Sequence, residues 1–111
     1  MRNKKENLVQ ILIIVMLVDG DIDFEELKII QEFAENLNFK EEEIRAMVED
    51  MVPYSGEEKK LIRIADELSS YITLPTIKIA GINAINKIIN SNEERSENQV
   101  EILELLSNKW E

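Results

Sequence analysis

The chain contains no cysteine and no histidine. The first absence excludes disulfides and thiolate nucleophiles. The second excludes imidazole acid–base chemistry, and together they remove the usual Cys/His zinc sites and any Ser-His-Asp triad. A metal bound here would need oxygen ligands, which selects Ca²⁺ or Mg²⁺, with Mn²⁺ behind them. Aromatic residues are few, with three Phe, two Tyr and one Trp in 111 residues, too sparse for stacking single-stranded nucleic acid. Positive charge is also short: 13 Lys and Arg stand against 23 Asp and Glu, a net charge of −10. A duplex or an anionic membrane repels such a surface. Cations, or a basic patch on another protein, are the natural partners. Proline and glycine number only two and three, with no long Gly/Ser/Pro linker, so residues 1–111 read as one domain with one modest core.

What is present is Ile and Leu in helical spacing. "RNKKEN" before the apolar run Leu8–Val18 mimics a signal peptide. The run falls short of the ~20 residues that span a bilayer, Glu6 interrupts the basic segment, and no small-x-small cleavage site follows. It reads as the buried first helix of a cytoplasmic protein, with a periplasmic product as the alternative. A helix apolar nearly all round sits in the middle of a bundle. Gly20 closes it.

Asp23 caps a second helix, with Glu26 at capping-box spacing and a stripe of Leu27, Ile30, Phe33, Ala34 and Leu37 ending near Asn38. A third helix runs from about Glu41 to Val52, lined by Ile44, Met47, Val48 and Met51 and broken at Pro53. Ser55 and Glu58 suggest a second capping box, opening a helix striped by Leu61, Ile64, Ala65 and Leu68 that reaches about Tyr71. Pro75 suits the first turn of a fifth helix, whose face is Ile82, Ile85, Ile88 and Ile89. Ser96 and Gln99 offer a third box before Val100, Leu103, Leu106 and Trp110. The expectation is an all-α, single-domain bundle of about six helices. Met16, Met47 and Met51 read as core fillers and Trp110 as an anchor for the last helix. Glu93–Glu97 reads as solvated loop, and Arg45 and Arg63 as partners of unnamed acids.

A shift of 73 positions lays Leu27, Ile30, Phe33 and Leu37 on Val100, Leu103, Leu106 and Trp110, and lays Asp19 on Asn92 and Glu26 on Gln99. Two helix-corner-helix units would then form the ends of the domain; any two amphipathic helices also align at some shift.

The corner "LVDGDIDFEEL" (Leu17–Leu27) resembles the back half of a calcium loop. With Gly20 at the loop's sixth position, Asp23 and Glu26 fall on the ninth and twelfth, but Val15 and Leu17 occupy positions that need oxygen ligands. Acids at a helix N-terminus are explained by the dipole alone, and Ile22 can plug the corner into the core. Asp19 is different: it stands at a helix C-terminus, where the dipole disfavours an anion. A cation, a Lys or Arg from elsewhere, or the N–H groups opening the second helix would have to offset that.

The apolar helix followed by "VDGDIDFEELKIIQEFAENLNF" resembles the signature of TerB-like domains, which occur in tellurite-resistance TerB proteins and at the start of DjlA-type co-chaperones. Asp19-Gly20, Ile22 and Glu26 carry the resemblance. It implies a helical bundle with this corner built twice, and acids from both corners gathered into a divalent-cation site. The residues it assigns to a metal are Asp19, Asp23 and Glu26 from the first corner; at the second, the 73-residue alignment places Asn92 and Gln99 where the family has Asp and Glu, and a slightly different register uses Glu94 or Glu97 instead. The co-chaperones' J-domain has no counterpart here, since its His-Pro-Asp motif needs a histidine. The expected function is a non-catalytic module that binds other proteins, tuned by Ca²⁺, Mg²⁺ or Mn²⁺ at the corner. The alternative is a structural or homo-oligomerising bundle without metal. A carboxylate-based hydrolase lacks any supporting motif.

Overall fold

The computed structural model describes residues 4–110, and the architecture over that span is all-helical. α1 spans Lys4–Leu17, α2 Phe24–Asn36, α3 Glu41–Met51, α4 Glu58–Ser69, α5 Pro75–Asn90 and α6 Glu97–Lys109, with a single 3₁₀ turn at Val52–Tyr54 between α3 and α4. α1 touches every other helix. Its residues from Leu8 to Val18 are all buried, Gln10 included. A helix apolar nearly all round can be desolvated on all sides only at the centre, and the other five helices wrap it. Among the described residues no helix is long and apolar enough to cross a membrane.

The helix ends follow local chemistry. Asn38 takes a left-handed φ of 71°; its N–H reaches the Glu35 carbonyl and that of Phe39 reaches the Ala34 carbonyl, closing α2 in a Schellman motif. Pro53 cannot continue α3, so Val52 belongs to the 3₁₀ turn and not to the helix. The Ser55–Glu58 capping box does not form. Ser55 closes the 3₁₀ turn, and Glu57 precedes α4 without a side-chain cap. α4 ends at Ser69, short of Tyr71. The three core methionines are buried as expected. Trp110 anchors the last helix by donating its indole N–H to the Ser69 carbonyl at 3.2 Å. Arg45 pairs loosely with Glu41 one turn away, at 3.6 Å on an exposed face.

The 73-residue correspondence is visible in the backbone. α2 and α6 are each 13 residues long, and their boundaries and their caps, Asp23 and Ser96, coincide under the shift. Two pairs of corresponding residues lie against each other. Gln99 donates to Glu26, and Leu8 packs so closely on Gly81 that a Cβ there would stand 2.7 Å from Leu8 Cδ1. Both contacts join the α1–α2 unit to the α5–α6 unit.

Candidate functional site

The two corners of these paired units face one another. At the first, α1 ends at Leu17 with its last carbonyls lacking intrahelical partners. The N–H groups of Gly20 and Gly56 both reach the Leu17 carbonyl, at 2.9 and 3.1 Å. Both glycines have positive φ, 98° and 81°, and their backbones pass closely: a Cβ on Gly56 would meet the Gly20 Cα at 3.5 Å. A side chain at either position would strain the turn. The chain then enters α2 through Asp23, whose Oδ1 accepts the N–H groups of Glu25 and Glu26 at 2.9 and 3.0 Å. Ile22 does not plug the corner. It is 42% exposed, and Phe24 after it is 81% exposed.

Asp19 lies beside the opposite corner. Its Oδ2 accepts the Ser96 hydroxyl at 2.6 Å and its Oδ1 accepts the Asn98 amide at 3.1 Å. Ser96 is the N-cap of α6 and also accepts the Gln99 N–H, at 3.2 Å. The anion at the unfavourable end of α1 therefore sits on the favourable end of α6. Among the described residues the offset comes from neutral donors and not from a basic side chain. Among the described residues no Lys or Arg pairs with Asp19, Asp23 or Glu26; Lys109 pairs with Asp66, far along the chain.

Neither capping box at these corners closes. Asp23 and Ser96 cap their helices, but Glu26 and Gln99, which would reach back to the cap, turn inward and meet. Gln99 Nε2 donates to Glu26 Oε1 at 2.8 Å and to the Val15 carbonyl at 3.0 Å, while its Oε1 accepts the Asn92 amide at 3.1 Å. Glu26 is 4% exposed and Gln99 1%. Burial pushes the Glu26 carboxyl up from 4.5 to about 7; the Gln99 hydrogen bond opposes this, the negative charge of Asp23 adds to it, Asn92 opposes it, and Asp19 adds to it. Among the described residues no buried side-chain polar atom is left without a hydrogen-bond partner.

The structure thus brings together Asp19, Asp23 and Glu26 from the first corner, and Asn92, Ser96, Asn98 and Gln99 from the second. Glu94 and Glu97 are exposed and stand outside the hydrogen-bonded set. Ser96 and Asn98 were not foreseen as partners of Asp19. The Ser96–Gln99 capping-box spacing points to Ser96 as the cap, and the shift lays Asp23 on it, but neither indicates that it reaches Asp19; nothing in the sequence singles out Asn98. The donor chemistry fits an ion poorly. Among the described residues no three carboxylates are grouped to hold a metal. The second corner presents a hydroxyl and amide N–H groups to the carboxylates, and these donate where a cation would need oxygen. No protein-family model, no curated protein and no solved structure matches the chain.

Proposed function

We propose that the protein is a non-catalytic, cytoplasmic helical module of the TerB-like kind that works by binding other proteins. Its paired corners act as the clasp that fixes the α1–α2 unit against the α5–α6 unit. The observation that carries this reading is the buried Glu26–Gln99 contact at 2.8 Å, reinforced from outside by Asp19 on Ser96 and Asn98. A clasp that sets the relative position of two helix pairs also sets the surfaces they present.

A second reading, in which a divalent cation tunes the clasp, has one observation in its favour: Asp19 and Asp23 both disfavour the Glu26 carboxylate, and among the described residues no basic side chain answers them. Thermal melts of chelator-stripped protein, with and without excess Ca²⁺, Mg²⁺ or Mn²⁺, separate the two. The hydrogen-bonded clasp predicts no change in Tm beyond that given by matched ionic strength. A saturable rise that disappears in Glu26→Gln restores the cation, because a ligand that binds only the folded state raises stability by mass action.

A further inference from the structure

The helix α5 stands apart in charge. In a chain of net charge −10 its 16 residues include no carboxylate, and its only charged side chains are Lys78 and Lys87. Its outward ridge carries Ile79, 61% exposed, and the neutral Asn83. A groove flanks the ridge on each side. Toward α2 it is about 310 Å³, with Ile29, Phe33, Ala80 and Ala84 among its lining; toward α6 it is about 270 Å³, with Ile79, Ile82 and Trp110. The single carboxylate lining either groove is Glu32, and Lys87 lines the same groove.

We propose that this face binds a second copy of the chain, α5 against α5 about a twofold axis. Charge selects that occupant. Most approaches of two such chains set carboxylates against carboxylates, whereas this face is nearly free of them, as the core of an interface should be. Its rim holds Glu32 and Lys87 beside the α2-side groove and Lys78 beside the α6-side groove. A twofold makes every contact twice, so Glu32 of each copy can answer Lys87 of the other. A ridge between two grooves is also its own complement, since helices pack by setting the ridges of one into the grooves of the next. The face shares no residue with the corner clasp, and the proposal stands whether or not the clasp reading does.

Sedimentation equilibrium of the full chain, from low micromolar to high micromolar concentration, tests it. The expected result is a reversible monomer–dimer equilibrium. Ile79→Asp should weaken it about tenfold or more without changing the circular dichroism, because the site is exposed and the fold does not need it. Glu32→Lys and Lys87→Glu should each weaken the dimer, and the double variant should recover it. A wild-type chain that stays monomeric throughout, as it would if the face served a different protein, overturns the proposal. So does a dimer indifferent to Ile79→Asp. Failure of the charge exchange to restore association overturns the twofold pairing.

Discussion

The corner between α1 and α2 and the corner between α5 and α6 join their helices with the same spacing and cap them at the same relative position, yet they differ in hydrogen-bonding character. The first offers acceptors: Asp19, Asp23 and Glu26. The second offers donors: Asn92, Ser96, Asn98 and Gln99. That difference is what allows them to touch. Two identical acidic corners meeting face to face would oppose carboxylate to carboxylate and would need a proton or a cation between them. Replacing the acids on one side by amides and a hydroxyl turns repulsion into direct bonds. The cost is concentrated at Glu26, the one carboxylate buried in the contact.

Making the corners alike should break the molecule most severely. In Gln99→Glu the 2.8 Å contact becomes two buried carboxylates, and the Val15 carbonyl loses its donor. A loss of about 4 kcal/mol in urea unfolding at pH 8 is expected, in the range for leaving a buried charge uncompensated. Much of it should return at pH 5, where the pair can share a proton. Equal stability of variant and wild type at pH 8 would mean that the corners are not in contact.

Relieving the acidic corner should have the next largest effect, with opposite sign. The Glu26 carboxyl titrates near 7 in the folded chain and near 4.5 when unfolded, so between these values the folded state binds the extra proton. Stability is then greatest below about pH 4.5, falls as pH rises through 7, and levels off above it. Between pH 5 and pH 8 the loss from this one group is on the order of 2–3 kcal/mol. Glu26→Gln keeps an acceptor for Gln99 and removes the titration. It should be more stable than wild type by about that amount at pH 8 and within about 1 kcal/mol of it at pH 5. A pair of denaturation curves at the two pH values measures this, and parallel pH profiles for the two proteins would remove Glu26 as the group responsible.

The sequence made the scaffold legible where one local cause dominates. The continuous run Leu8–Val18 could only be central; Gly20, Asn38 and Pro53 each impose a backbone geometry that ends an element; and Asp23 and Ser96 stand one residue before their helices. The clasp was legible in part. The shift of 73 that pairs Glu26 with Gln99 names two residues that do touch, and Asp19 was singled out by its place on the wrong end of a dipole. What occupies the space beside Asp19 was not legible, since that depends on how two distant units dock. A capping-box spacing also cannot say whether the third residue turns back to the cap or inward to the core. Glu26 and Gln99 turn inward because each finds a buried partner there, and that partner exists only in the folded chain. Ile22 shows the same limit in reverse: its apolar character suggested a plug for the corner, and it is left exposed.

The smallest effect expected is at the rim of the clasp, where Asp19 meets Ser96. Both lie near solvent, so the bond between them is short, at 2.6 Å, but competes with water. Ser96→Ala removes the α6 cap as well as the Asp19 partner and should cost about 1 kcal/mol, whereas Asp19→Asn keeps an acceptor and should cost less. The double-mutant cycle isolates their coupling, expected at about 0.5–1 kcal/mol. Its salt dependence distinguishes two ways of holding an anion at the end of α1. A cationic partner would lose much of its coupling in high salt. A hydroxyl donor should retain most of it, because the bond rests on contact geometry and only the weaker attraction of the α6 terminus is screened.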